Sequence, residues 1–215
     1  MNKVPVLMIT YNRLEYTKKA LESLFNCHYV EIFIIDNAST DGTQEWLDSQ
    51  PWKVSWNIIY NKKNIGIAGA MNQFLRFTKG HVLVGKIDND TIVPPDFITR
   101  MIPHMQKADI VQAKHPILKA THPGGFDQWV STMPADGPLR FNHFVGGSGI
   151  LFRRNIVQLV PHTEWMLGGW RQFQRERPEL KKAFATDVEV QLLDTDENGS
   201  NYSQYPEYYR ETKRL

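Results

Sequence analysis

Val82-Leu83-Val84-Gly85-Lys86-Ile87-Asp88-Asn89-Asp90 is the stretch on which the fold turns. The apolar run between Gly80 and Pro94-Pro95 has the length of a buried strand and is too short for an ordinary helix. It ends in two carboxylates separated by one residue. In open α/β sheets, the carboxyl edge of a central strand is where ligands bind. Two carboxylates crowded there repel each other unless a cation or hydrogen-bond donors hold them, and oxygen ligands suit Mg2+ or Mn2+. Taken alone, Asp-x-Asp before a proline reads first as a polar turn. The remainder of the chain has to decide.

Upstream, Val4-Pro5-Val6-Leu7-Met8-Ile9-Thr10 reads as a strand. It is followed by Tyr11-Asn12-Arg13 and a helix with Leu14, Ala20, Leu21, Leu24 and Phe25 on its apolar face. Glu31-Ile32-Phe33-Ile34-Ile35 is a second strand, ending at Asp36-Asn37-Ala38-Ser39-Thr40-Asp41-Gly42-Thr43 before a short helix that Thr40 or Asp41 can cap. Val54 to Tyr60 is expected as a third strand, Gly66 to Thr78 as a helix and Val82 to Ile87 as the fourth strand. This alternation implies βαβ units, and therefore an α/β domain with a mostly parallel, doubly wound sheet flanked by helices.

Beyond Asp90 prolines recur and the apolar runs shorten. Pro94-Pro95-Asp96 is expected to open a helix through Met105, Asp109 to Ala113 to be a strand, and residues 114 to 142 to be loops and hairpins. Val145-Gly146-Gly147-Ser148-Gly149 leads into a strand at Ile150-Leu151-Phe152. Asn155 to Val160 and Thr186 to Leu193 are expected as helices, and Tyr202 to Tyr209 as a closing strand or loop.

At 215 residues, 41% hydrophobic and 22% charged, the chain fits one soluble domain. The single Cys27 excludes an intrachain disulfide and a thiolate zinc cluster, and a net charge of +2 gives no argument for nucleic acid. No apolar stretch approaches the roughly 20 residues of a membrane span. Met1-Asn2-Lys3 runs into the first strand without a signal-peptide pattern, so a cytoplasmic protein is expected. The seven histidines show no ligand-like pair at helical spacing and read as surface or core residues.

Four blocks, in order, resemble the family 2 glycosyltransferases of the GT-A fold, which move a sugar from a nucleotide diphosphate donor to an acceptor. They are Val6 to Arg13, Ile34 to Thr43, Asn64-Ile65-Gly66-Ile67-Ala68-Gly69-Ala70-Met71-Asn72, and Asp88-Asn89-Asp90. The resemblance implies a single GT-A, Rossmann-like domain with a nucleotide-sugar-binding half over residues 4–97 and an acceptor-side half over 98–215. It also implies donor contacts from Thr10, Tyr11, Asn12, Arg13, Asp36, Asn64, Gly66 and Asp88. Asp90 is the implied direct ligand of Mn2+ or Mg2+, and Asp88 the implied contact to ribose or to metal-bound water. A late histidine that some members add to the metal has no counterpart after His162.

The chemistry is intelligible residue by residue. An aspartate at a strand end can accept the imide hydrogen of uracil or thymine, so Asp36 points to a UDP- or dTDP-linked sugar, a helix or turn cap being the alternative. Asp41 reads more simply as a cap. Asn64 and Gly66 either let the backbone approach the donor or form a turn. Lys86 shares a face with Asp88 by the period of two, and is placed to pair with it or reach a phosphate. Inversion by direct displacement needs a carboxylate near the acceptor oxygen. Thr186-Asp187 resembles the family's Glu-Asp pair, which makes Asp187 the candidate base, a helix cap being the alternative. Asp194 and Asp196 read as part of an exposed, charged end.

The expected function is thus an inverting, metal-dependent glycosyltransferase making a single transfer per acceptor. The alternatives are a sugar nucleotidyltransferase, against which Thr10-Tyr11-Asn12-Arg13 stands where a glycine-rich basic loop is needed, and a catalytically silent nucleotide-sugar-binding module. Trp129, Phe144, Trp165 and Trp170 fall in the acceptor half as stacking surfaces or core residues. The acceptor classes compatible with the chain are a saccharide, a lipid-linked sugar, a protein and a nucleic-acid base.

Overall fold

The computed structural model describes residues 2–115, 124–162 and 168–194. In chain order, β1 (Val4–Thr10), α1 (Leu14–Phe25), β2 (Val30–Asp36), α2 (Thr43–Ser49), β3 (Asn57–Tyr60), α3 (Gly66–Phe77) and β4 (Leu83–Asp88) form the first half. Then come β5 (Thr91–Ile92), α4 (Phe97–Met101), β6 (Ile110–Lys114), α5 (Gly125–Val130), β7 (Ala135–Asp136) and β8 (Leu139–Phe141). The remainder is β9 (Ile150–Arg153), α6 (Gly168–Arg175), β10 (Lys182–Glu189) and β11 (Gln191–Leu192).

The described strands form a nine-stranded sheet of order β3-β2-β1-β4-β9-β6-β10-β8-β7, with β5 and β11 paired separately. β1 pairs in parallel with both β2 and β4, and β2 with β3. β9 is antiparallel to both β4 and β6, so β6 regains the direction of β4, and β10 is parallel to β6. The α/β reading with a mostly parallel sheet holds. The strand ends that carry Thr10, Asp36 and Asp88 therefore share one edge.

Side-chain periodicity builds the layers. Residues Tyr16, Thr17, Ala20, Leu21 and Leu24 of α1 are buried at helical spacing, as are Met71, Phe74 and Leu75 of α3. On the first face of the sheet, Leu21, Leu24, Phe97 and Met101 pack on Met8, Ile34 and Ile87. On the second, Met71, Phe74, Trp170 and Phe173 pack on Leu7, Ile35 and Phe152. Each large side chain so buried contributes about 1.5–3 kcal/mol. Trp129, stacked edge-on to Phe184 with ring centroids 5.1 Å apart, and Trp170, 3% exposed, serve this second layer as core residues. Trp165 lies outside the described residues.

Several local expectations give way. Thr186 to Leu193 is not a helix: Lys182–Glu189 is a strand, continued by β11. Its pairing with β6 on one side and β8 on the other, through Phe184 with Gln112 and with Arg140, satisfies backbone groups that a helix there would leave open on both neighbours. Tertiary pairing outweighs the cap-like Thr186-Asp187 pair. The third strand covers only Asn57–Tyr60, because Lys53–Ser55 makes a 3-10 turn. The segment after Pro94-Pro95 is a short α-helix continued as 3-10 turns over Ile102–Gln106. The helix expected from Asn155 is a single 3-10 turn, Arg154–Ile156. Within 114 to 142, Gly125–Val130 is helical and Ala135–Asp136 pairs with Leu139–Phe141 as a hairpin. Tyr202 to Tyr209 lies outside the described residues.

Candidate active site

Asp88 and Asp90 sit where β4 leaves the sheet, and the chain's own cations hold them there. Lys86, one pleat back on the same face, is almost wholly buried, and its ammonium contacts Asp88 Oδ1 and donates to the Gly147 carbonyl at 2.7 Å. Arg13 Nη1 donates to Asp90 Oδ2 at 2.9 Å and stands 3.5 Å from Asp194 Oδ2, while its Nη2 donates to Asn89 Oδ1. Asn89 in turn donates to the Asn12 carbonyl at 3.2 Å and to Thr17 Oγ1 at 3.0 Å. The turn is thereby pinned to the loop after β1.

That loop is strained. Asn12 (φ 54°) and Arg13 (φ 63°) both adopt the left-handed conformation, which costs non-glycine residues on the order of 1 kcal/mol or more each. Side chains from the loop after β2 hold it: Ser39 Oγ accepts from Asn12 N–H at 2.8 Å, Asn12 Oδ1 accepts from Thr40 N–H at 2.8 Å, and Asp41 Oδ2 accepts from Leu14 N–H at 2.8 Å. Asp41 also accepts from Thr43 N–H at 3.1 Å at the start of α2, so its role is that of a cap serving two helices. Asp36 is completely buried. The Ser39 N–H donates to both its oxygens, at 3.0 and 3.1 Å, and the Gln44 amide donates to Oδ1 at 2.8 Å. In this arrangement its carboxylate anchors the 37–43 loop, and the three contacts leave Oδ2 with the remaining acceptor capacity. Asn64 Oδ1 accepts from Gly66 N–H at 2.8 Å, and Gly66 (φ 70°) turns the chain into α3. Both belong to the turn at the helix entry.

From the other side the glycine-rich loop closes on β4. Ser148 Oγ accepts from Asp88 N–H at 2.8 Å and lies 3.0 Å from Thr91 Oγ1. Gln112 of β6 donates to the Ser148 carbonyl at 3.2 Å and accepts from Gly146 N–H; a Cβ on Gly146 would stand 2.8 Å from the Gln112 amide nitrogen. Gln174 of α6 takes both polar groups of Val145, at 3.0 and 2.9 Å, and the Trp170 indole donates to the Gly146 carbonyl at 2.9 Å. A buried loop must have its backbone groups satisfied in this way.

Asp187 stands apart. Its carboxylate lies 3.0 Å from His104 Nε2, without the direction of a hydrogen bond, and Arg100 donates to its carbonyl. Both partners belong to the α4 layer on the first face, whereas Lys86 and Asp88 point to the second. β10 is also three strand spacings from β4, about 14 Å. The structure brings together Thr10, Tyr11, Asn12, Arg13, Lys86, Asp88 and Asp90, and leaves Asp187 out of that cluster. Asp194, expected exposed, is buried at 3% and shares Arg13 with Asp90. Sequence reasoning also passes over Asn89, Gln112, Ser148 and His115. Only Ser148 carried a local signal, its place inside a glycine run.

The fold agrees with what known proteins show. Residues 6–167 match glycosyl transferase family 2. The chain belongs to that family. Among relatives, a hyaluronan synthase of Pasteurella multocida is 28% identical over 130 residues, covering 58% of this chain and 13% of the synthase. Among solved structures, the mannosyltransferase PcManGT of Pyrobaculum calidifontis, in complex with GDP-Man and Mn2+, superposes with a TM-score of 0.69 at 18% identity over 92% of this chain and 58% of the other. S. aureus TarS 1-349 in complex with UDP-GlcNAc gives 0.65 at 16% identity, over 98% and 64%. The glycosyltransferase chain thus spans less than two thirds of each of these proteins, and the likeness to the two structures is one of fold.

Proposed function

We propose that the chain is an inverting, cation-dependent glycosyltransferase that moves one sugar from a UDP- or dTDP-linked donor to an acceptor hydroxyl. The observation that carries this is the convergence of the β1 loop, itself braced by the β2 loop, and the glycine-rich loop on Asp88 and Asp90 at the carboxyl edge of β4.

The donor set fits Mn2+ or Mg2+. Each carboxylate gives one oxygen to a protein cation, and the second oxygen of each has no charged partner among the described residues. Both side chains keep access to solvent, 35% for Asp88 and 16% for Asp90. Hard oxygen donors of this kind suit either ion. Asp90 and Asp88 would hold the cation, which when bound supplies positive charge against the leaving diphosphate.

The chain's own residues do the rest. Arg13 and Asn89 keep Asp90 from swinging away, and Lys86 orients Asp88 while limiting the negative charge at the edge. Asp36, through Ser39 and Gln44, sets the shape of the loop that faces the base; the preference for uracil or thymine is assigned to this strand end.

The test is a panel of UDP-, dTDP- and GDP-sugars with Mn2+, reading nucleotide affinity by calorimetry and release of free nucleotide with and without candidate acceptors. Saturable binding of uridine or thymidine diphosphates with nucleotide release supports the reading. Equal binding of GDP and UDP would remove the base assignment. Turnover of a nucleoside triphosphate with a sugar phosphate would replace the transferase by a nucleotidyltransferase.

A further inference from the structure

His115 follows the last residue of β6, and the reading above gives it no role. Its imidazole is close enough to Asp88, Asp90 and Lys86 to feel the charge of each. Part of the residue reaches solvent, yet Nε2 is shielded and has no hydrogen-bond partner among the described residues. Buried polar atoms are almost always paired in folded proteins, so an unpaired, shielded ring nitrogen within reach of the Asp88 and Asp90 charges points to a partner that arrives with the substrate. Burial holds the imidazolium below its ordinary pKa of 6.5, and Lys86 acts in the same sense against the two carboxylates. The ring is therefore neutral at neutral pH, with a lone pair on one nitrogen.

Its position suits proton transfer. β6 lies two places from β4 with β9 between them, a separation of about 10 Å. A diphosphate held at Asp88 and Asp90 and a proton acceptor at His115 would leave room for one sugar ring between them. Asp187 is engaged with His104, and its strand lies one place further from β4.

We propose that His115 accepts the proton of the attacking hydroxyl in the sugar transfer, an assignment that rests on the transferase reading above. The acceptor oxygen forms its bond to the anomeric carbon with its own electron pair. The bond from that carbon to the diphosphate oxygen breaks, and its pair leaves with the nucleotide. The acceptor proton passes to Nε2, with the other ring proton on Nδ1, and is then released to solvent. Water in place of the acceptor gives donor hydrolysis by the same transfer.

The experiment compares wild type with His115→Gln, His115→Asn and Asp187→Asn. It measures UDP affinity with Mn2+ by calorimetry, melting temperature, and UDP release from UDP-sugars between about pH 5 and 9. For the His115 variants, UDP affinity should stay within about twofold while release falls by about two to four orders of magnitude and the acidic limb of the pH profile disappears. Added imidazole should restore part of the rate to a further variant, His115→Gly, and Asp187→Asn should release UDP at nearly the wild-type rate. A His115 variant that keeps its rate within about threefold overturns the proposal, since removal of a general base costs far more. So do parallel losses of UDP affinity and rate, which would make His115 a donor contact, and melting of both variants more than about 10 °C below wild type, which would make it a structural residue. Wild type that binds UDP but releases none from any UDP-sugar also overturns it. Wild type that binds no nucleotide at all overturns the transferase reading first, and His115 falls with it.

Discussion

On one side of β4 the sheet runs β1, β2, β3, each strand parallel to the last and joined to it by a helix; on the other it runs β9, β6, β10, β8, with parallel and antiparallel pairs mixed and sequence neighbours separated. The first side is held by apolar side chains at regular spacing. The second depends on buried polar groups: Gln112 and Gln174 on the glycine loop, and Arg154, whose guanidinium donates to the Val157 carbonyl at 2.7 Å and to Leu75. Burial lowers the pKa of Arg154 and of Lys182 in this region. The comparison teaches that the β1–β3 side can be assembled from local units, while the β9–β8 side exists only once distant segments have met. β4 joins the two, and its terminal carboxylates take partners from both.

The largest expected effect falls where the two sides meet. Asp90→Asn should lower UDP release by on the order of a hundredfold or more, through loss of charge at the cation site. Full activity in that variant, or in wild type after chelation, would break the assignment of the edge carboxylates. Next, Arg13→Ala should cost about 3 kcal/mol, because Asp90, Asp194 and Asn89 lose the buried group that joins them. For a domain of this size that is a melting point about 6–12 °C lower. A change below about 2 °C would mean that the β1 loop is not what holds the turn.

On the β9–β8 side, Gln174→Leu keeps the volume but strands the amide and carbonyl of Val145, and should cost about 1–3 kcal/mol in urea unfolding. A neutral result would show that Gln112, Trp170 and Lys86 hold the glycine loop without Gln174. A smaller effect concerns pH. His115 has a folded pKa below its ordinary 6.5, so the unfolded chain binds the extra proton first as pH falls. Its contribution is present above about pH 6.5 and is lost as pH drops through the folded value. Wild type should therefore lose stability over that range, and His115→Gln should lose less. Smallest of all, Asp187→Asn should change stability by no more than about 0.5 kcal/mol, its side chain being 44% exposed.

Much of this was legible in the chain itself. Val4 to Thr10, Val30 to Asp36 and Leu83 to Asp88 are apolar runs of strand length whose ends carry polar residues, and the helices between them bury one face at helical spacing. These are properties of neighbours in sequence, so periodicity reveals them, and with them the α/β class and the shared edge at Thr10, Asp36 and Asp88. The pairing of Lys86 with Asp88 follows from the same pleat.

Other features depended on which segments meet in space. Lys182 to Glu189 contains a cap-like Thr186-Asp187 and became a strand because β6 and β8 each offered it an open edge. Asp194 sits in a charged tail and is buried because Arg13, far away in the chain, reaches it. Asp36 lies at a strand end as expected, yet its oxygens are claimed by Ser39 and Gln44, which only the folded loop brings round. His115 carried no signal at all: a histidine after a short strand becomes a neighbour of Asp88 and Asp90 only through the crossover that sets β6 two strands from β4. Local pattern selects the elements, because dihedral preference and side-chain period act over a few residues. Which charges face one another across the cleft is decided by long-range strand pairing, and no short-range pattern encodes that.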